Sequence, residues 1–97
     1  MRYIEYLVRG RVQGVNFRAW TAKEAKQLNV TGYIQNTPEG HVAGAALGSD
    51  EDIEHFKKLL GKGPSIAQVT GVEIQKEETV EKPEDIKWGL KDFTVRR

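Results

Sequence analysis

Val30-Thr-Gly-Tyr-Ile-Gln-Asn36, followed by Thr37-Pro-Glu-Gly40 and then by Val42-Ala-Gly-Ala-Ala-Leu-Gly48, decides how this chain folds. The first piece is rich in β-branched and aromatic residues and has strand composition. Thr37-Pro-Glu-Gly40 is a turn with a physical cause: proline presets its own φ, and glycine supplies a positive φ at the turn's end. The third piece is then the return strand of a hairpin. Its composition is poor for that task, because Ala43, Gly44, Ala45 and Ala46 have low β-propensity. Its place after the turn, more than its residues, makes it a strand.

A helix lies on each side of the hairpin. Upstream, Phe17, Thr21, Ala25 and Leu28 recur at steps of four, four and three among the helix formers Ala19, Ala22, Lys23, Glu24 and Lys26. This helix is expected to begin at about residue 18 or 19 and to stop at Asn29. Downstream, Ser49 can cap a helix whose first turn carries Asp50, Glu51 and Asp52, where the dipole favours acids. Asp52 holds the capping-box position usually taken by Glu or Gln. Ile53, Phe56, Leu59 and Leu60 form its apolar stripe, Lys57 and Lys58 suit its last turn, and Gly61 is the expected end.

Three further strands lie outside the helices. Residues 3–12 alternate, with Ile4, Tyr6, Val8 and Val12 on one face and Glu5, Arg9 and Arg11 on the other. Tyr3 and Leu7 leave the second face only partly wet. After Gly63-Pro64, residues 66–76 read as a strand with Val69, Gly71 and Glu73 opposite Thr70, Val72 and Ile74. Residues 77–87 are charged, contain Pro83 and read as a solvated loop; Phe93-Thr-Val-Arg96 is a short final strand. The order β-α-β-β-α-β plus a terminal strand predicts an α+β, ferredoxin-like sandwich: an antiparallel sheet with two helices packed on one face. No internal repeat or low-complexity tract divides the chain, so residues 1–97 are expected to form a single domain.

Composition narrows the function. A chain of 97 residues can bury roughly 60–70% of its unfolded surface without staples. The absence of cysteine excludes a disulfide framework, cysteine zinc sites and thiol catalysis. Glu5 and Arg9 interrupt the start where a signal peptide needs an apolar run, and no stretch approaches the roughly 18 apolar residues of a membrane span. A cytoplasmic protein without membrane association is expected. Fifteen Lys+Arg against 14 Asp+Glu give a net charge of +1, without the basic excess of a nucleic-acid binder.

The chemistry concentrates at residues 13–18, Gln13-Gly-Val-Asn-Phe-Arg18. A strand ends there, glycines at 10 and 14 allow a tight path, and a helix begins. Successive backbone N–H groups in such a turn form an anion-binding concavity, and the helix N-terminus adds positive dipole. Arg18 at the rim has a planar fork that matches phosphate oxygens. From the residues alone a second reading stands beside this one: Gly14 serves a tight turn and Arg18 is a surface cation.

Gly10-Arg-Val-Gln-Gly-Val-Asn-Phe-Arg18 resembles the acylphosphatase signature G-x-V-Q-G-V-x-F-R. Gly32-Tyr-Ile-Gln-Asn36 resembles the family's second motif, G-[FWY]-[VI]-x-N, and is followed by a turn ending at Gly40. The distance from Arg18 to Asn36, Gly63-Pro64, Val72-Glu-Ile74 and the closing Phe93-Thr-Val also fit, so the likeness spans nearly the whole chain. The resemblance implies hydrolysis of the carboxyl–phosphate bond of acyl phosphates, without metal, cofactor or phosphoenzyme. It implies a phosphate cradle of backbone amides from Gln13, Gly14, Val15, Asn16, Phe17 and Arg18, completed by the Arg18 side chain, and a water oriented by Asn36. Inorganic phosphate would be product and inhibitor, and a monomer is expected. The chain departs from the family at Asn16, where a small residue is frequent, and at Ala43-Gly-Ala-Ala, where β-branched and charged residues are usual.

The remaining residues take plainer readings. His41 and His55 lack cysteines or a close second histidine and read as solvated. Trp20 and Trp88 read as packing residues, and Gly61-Lys-Gly63-Pro lacks Walker-loop spacing. An RNA-binding module of the same fold would need aromatics on its central strands, and the hairpin's return strand has none. A non-catalytic relative, of the kind found inside larger carbamoyl-transfer proteins, is the other alternative; a freestanding chain of this length favours the enzyme.

Overall fold

The computed structural model describes residues 1–13, 16–64, 67–81 and 92–96. Alternation over the first residues produces β1 (Arg2–Arg11), and the 3.6-residue period that follows produces α1 (Phe17–Gln27). The hairpin forms as read, with β2 (Thr31–Asn36) returning as β3 (Val42–Gly48). Thereafter come α2 (Asp50–Lys62), β4 (Gln68–Thr79) and β5 (Phe93–Arg96).

The sheet order is β4-β1-β3-β2-β5. β1 pairs antiparallel with β3 and with β4, and β2 pairs antiparallel with β3. The ferredoxin-like class therefore holds for the four-stranded body. The terminal strand adds a parallel pairing, with Gly32 opposite Phe93 through Gln35 opposite Arg96, so the whole sheet is mixed. Since β1 and β2 are both antiparallel to β3, they run in the same direction, and β5 runs with them. The C-terminal ends of three strands thus meet at one end of the sheet.

Both helices cover the same face. Ile4, Tyr6, Val8, Ile34, Val42 and Phe93 from the sheet pack with Phe17 and Ala25 of α1 and with Ile53, Phe56 and Leu60 of α2. Phe56 sits between the rings of Tyr6 and Phe93, at 5.5 and 5.7 Å. On the opposite face Tyr3, Ala45, Leu47 and Val80 form a smaller apolar cluster, against which Tyr33 packs. That cluster keeps the second face of β1 partly dry.

β3 is the central strand, and its Gly44 has a packing cause. The Tyr6 side chain crosses over Gly44, its cross-strand partner, and its hydroxyl donates to the Tyr33 carbonyl oxygen at 2.8 Å. A Cβ at position 44 would stand 2.0 Å from that oxygen and 2.7 Å from the Tyr6 hydroxyl. Burial, with a smaller contribution from nearby Tyr33, pushes the Tyr6 pKa well above its ordinary value, so the hydroxyl stays protonated as a donor.

Several boundaries differ from expectation. α1 starts at Phe17 and gives way at Asn29, whose φ of 60° is left-handed. Ser49 caps α2 by accepting from the Asp52 N–H at 3.1 Å, but Gly61 does not end that helix. It runs to Lys62, and Gly63, at φ 66°, is the C-cap. Leu59 is half-buried, whereas Ile53, Phe56 and Leu60 are fully buried. β4 continues to Thr79 where a loop is expected from residue 77: Glu77, Glu78 and Thr79 pair with Ile4, Tyr3 and Arg2. β4 is an edge strand, so polar side chains there stay in water while the backbone pairs. The expected loop's Pro83, and Trp88, fall outside the described residues.

Candidate active site

The three converging strand ends build the site. β1 leads into the 13–18 loop, β2 ends at Asn36, and β5 ends at Arg96. Gly14 and Val15 of the loop lie outside the described residues; Gln13, Asn16, Phe17 and Arg18 lie within them. Asn16 has φ 61° and ψ 23°, a left-handed conformation that asparagine tolerates better than most side chains. The departure at this position is therefore compatible with the path of the loop.

The two helix N-termini are finished differently. α2 has its Ser49 cap and three acids in its first turn. α1 has neither: Asn16 makes no side-chain capping bond, and its first turn is free of acids. Uncapped N–H groups and an unopposed dipole leave this end of α1 suited to an anion. Arg18 adds a charge beside it. Its Nη1 donates to the Arg96 main-chain oxygen at 2.8 Å, and among the described residues it forms no ion pair with a carboxylate. An open depression of about 510 Å³ lies here, lined by Val12, Gln13, Asn16, Phe17, Arg18, Ala19 and Val95.

Asn36 stands at the same end of the sheet but does not line that depression. It is exposed, pairs with Val42, and directly precedes the hairpin turn. Two residues after buried Ile34, it belongs to the helix-covered face of β2. Two links tie Asn36 to the loop. Gln13 Nε2 donates to the Thr37 oxygen at 3.1 Å and to the His41 oxygen at 2.9 Å, bracketing the turn. Arg18 holds the carbonyl of Arg96, and Arg96 pairs with Gln35, the neighbour of Asn36. Among the described residues no hydrogen bond joins Arg18 to Asn36 directly, so their relation is set by the frame.

The turn is braced from within. Thr37 N–H donates to the His41 oxygen at 2.9 Å, His41 N–H to the Thr37 hydroxyl at 3.1 Å, and Gly40 N–H to the Thr37 oxygen at 3.1 Å. His41 is half-buried, and its Nδ1 accepts from the Gly10 N–H at 3.4 Å, which a reading as a solvated histidine misses. His55 is exposed. Trp20 is half-buried, 6.0 Å from the Phe17 ring. Among the described residues no group of three or more His, Cys, Asp or Glu is placed to hold a metal ion.

Sequence reasoning also leaves out Val95, Arg96 and the side-chain role of Gln13. The first two enter the site only because β5 docks parallel to β2, which nothing in four residues announces. Gln13 could have been found: a long amide ahead of a tight turn is a ready clamp for a neighbouring backbone.

Comparison with known proteins bears on the family and the fold. A family model described as Acylphosphatase matches residues 4–93. An acylphosphatase of Thermus thermophilus is 43% identical over 89 residues, 92% of each chain. Among solved structures, acylphosphatase from Coxiella burnetii superposes with a TM-score of 0.82 at 35% identity, covering 97% of this chain and 90% of that one. The acylphosphatase of Bacillus subtilis gives a TM-score of 0.86 at 26% identity over the full length of both chains.

Proposed function

Because the chain belongs to the acylphosphatase family, we propose that Arg18 and the amides of the 13–18 loop hold a substrate phosphate while Asn36 places the attacking water. The reaction is hydrolysis of an acyl phosphate to a carboxylate and inorganic phosphate. The observation that supports these roles is the uncapped, acid-free N-terminus of α1 beside Arg18, at the same sheet end as Asn36.

The chemistry asks little of the protein. A water oxygen forms a bond to phosphorus while the bond from phosphorus to the acyl oxygen breaks. The electron pair leaves with the carboxylate, which needs no protonation near neutral pH. Positioning and stabilisation of charge on the phosphoryl oxygens are the main demands, and amide N–H groups with one arginine supply them by preorganised electrostatics. An asparagine amide is not a base, but it orients water by accepting or donating a hydrogen bond. In this reading the water's proton passes to an oxygen of the substrate phosphate.

We read residues 1–97 as one domain, active as a monomer in the cytoplasm without nucleic-acid or membrane partners. Supporting this, one apolar cluster draws on both helices and the sheet, and no helix among the described residues is long and apolar enough to cross a membrane. The test is hydrolysis of acetyl phosphate with and without EDTA, and with inorganic phosphate added. Activity should survive EDTA, and phosphate should inhibit competitively. A loss restored by zinc or magnesium would overturn the metal-free reading, and non-competitive phosphate would remove the loop from its assigned role.

A further inference from the structure

The depression beside Arg18 is larger than a phosphate requires. At about 510 Å³ it falls within the roughly 300–1,000 Å³ of small-molecule sites, more room than one phosphoryl group fills. Its lining has two characters. Gln13, Asn16 and Arg18 are polar or cationic, whereas Ala19 and Val95 present carbon only, and none of the lining residues is a carboxylate.

Val95 stands out among the described residues. With Met1 it is one of the exposed large hydrophobic side chains, at 40% exposure. It pairs with Ile34 and lies two residues beyond buried Phe93, so it continues the core-facing row of β5 out into the depression. Its position relative to the phosphate site is fixed, because Arg18 Nη1 binds the carbonyl of the very next residue, Arg96, at 2.8 Å. Ala19 borders Arg18 on the other side along the chain and is also exposed.

We propose that Val95 and Ala19 form a wall for the acyl group, so that this chain favours acyl phosphates with extended apolar acyl chains over short ones. The inference rests on the phosphate being held at Arg18. The acyl oxygen is bonded to phosphorus, so the rest of the acyl group starts within the same depression. An apolar chain laid on Val95 removes apolar area from water at roughly 25 cal/mol per Å². Such contact lies away from the reacting atoms and is equal in ground and transition states, so it acts mainly through KM.

The experiment compares kcat/KM for acetyl phosphate and hexanoyl phosphate in the wild-type chain, Val95→Thr and Val95→Leu. The wild type should prefer hexanoyl phosphate, chiefly by a lower KM. Threonine keeps the shape and strand propensity but replaces a methyl by a hydroxyl, and should cut the hexanoyl-to-acetyl ratio about 3–10-fold, an open wall discriminating less than a closed pocket. Leucine should raise the ratio. Mere structural damage would depress both substrates together and weaken inhibition by inorganic phosphate in step, leaving the ratio where it was. A ratio unchanged in both variants, with acetyl phosphate still hydrolysed, overturns the acyl wall alone. Failure of the wild-type chain to hydrolyse either compound overturns the hydrolase reading and the wall with it.

Discussion

The side-chain amide of Gln13 donates to the main-chain oxygen of His41 at 2.9 Å, joining the first residue of the 13–18 loop to the far side of the hairpin turn. The same nitrogen donates to the Thr37 oxygen at 3.1 Å, on the near side. Asn36 precedes Thr37, so this clamp helps to set the separation between Asn36 and the 13–18 loop, the two parts to which we assign the water and the phosphate.

Gln13→Met keeps the length of the side chain and removes both donors. The half-buried Thr37 and His41 carbonyls each lose Gln13 but keep a donor within the turn, so the change should cost about 0.5–1.5 kcal/mol of stability per bond. If the hairpin then shifts by about 1 Å, turnover should fall by up to about 10²-fold. Urea unfolding and steady-state kinetics report the two effects separately. Unchanged kcat in a folded Gln13→Met chain would show that the clamp serves stability only.

Gly44→Ala should be among the most destabilising single changes in the sheet. The added Cβ meets the Tyr33 carbonyl at 2.0 Å and the Tyr6 hydroxyl at 2.7 Å, and a central strand cannot move away. Overpacking of this kind costs about 1–3 kcal/mol and sometimes more. Adding Tyr6→Phe removes the hydroxyl conflict and leaves the backbone one, so the double variant should recover only part of the loss. Full recovery would mean that the hydroxyl, and not the carbonyl, limits position 44.

This conflict also explains why β3 reads poorly as a sequence. Propensity counts Ala43, Gly44, Ala45 and Ala46 against a strand, while the need for glycine at 44 arises from Tyr6 and the Tyr33 carbonyl, distant in the chain and adjacent only after pairing. The elements that are legible carry their cause locally: the Pro-Glu-Gly turn, the stripe of α2 and its Ser49 cap. The end of α2 is misread because Gly61 and Gly63 both suit a C-cap, and only backbone geometry selects Gly63. The end of β4 is misread because Glu77, Glu78 and Thr79 look like loop; as an edge strand they need only pair with β1. Within the site, Arg18 and Asn36 sit in recognisable motifs, whereas Val95 and Arg96 depend on the docking of β5.

An ion network beside β1 predicts how stability varies with pH. Arg2 and Lys57 share the carboxylates of Glu54 and Glu77: Lys57 Nζ lies 2.6 Å from Glu77 and 2.9 Å from Glu54, and Arg2 Nη1 lies 3.2 and 3.0 Å from them. The hydrogen bond from Lys57 lowers the Glu54 pKa below its ordinary 4.5. Partial burial of Lys57 opposes its charge, but its bonds to Glu77 and Glu54 outweigh that and raise its pKa above 10.5. A lowered carboxylate stabilises the fold above about pH 4.5 and loses that as pH falls through its folded value. A raised lysine stabilises below about pH 10.5 and loses that as pH rises through its folded value. The urea midpoints of wild type and Lys57→Met should thus differ at pH 7 and converge towards pH 3, by an amount that salt reduces. A gap of equal size at both pH values would assign the effect to packing of the lysine stem.

Arg18 and Asn36 should separate in kinetics. In the proposed mechanism Arg18 touches phosphate in ground and transition states alike, so Arg18→Gln should raise KM and the phosphate inhibition constant and also lower kcat. In the same mechanism Asn36 touches the water, whose placement matters as the bond to phosphorus forms. Asn36→Ala should lower kcat while phosphate still competes nearly as well. Loss of one preorganised polar group costs about 10²–10³ in rate, so both effects should be well resolved. Far-UV circular dichroism and urea titration must show that each variant is folded, since Asn36 pairs with Val42 at the mouth of the hairpin and Arg18 holds β5 through Arg96. The Arg96 tie gives Arg18→Gln a second signature: some loss of stability alongside its kinetic defect, which Asn36→Ala, an exposed position, should not share. A folded Asn36→Ala chain that turned over saturating substrate normally but no longer bound phosphate would make Asn36 a phosphate ligand, and the water would then need another guide.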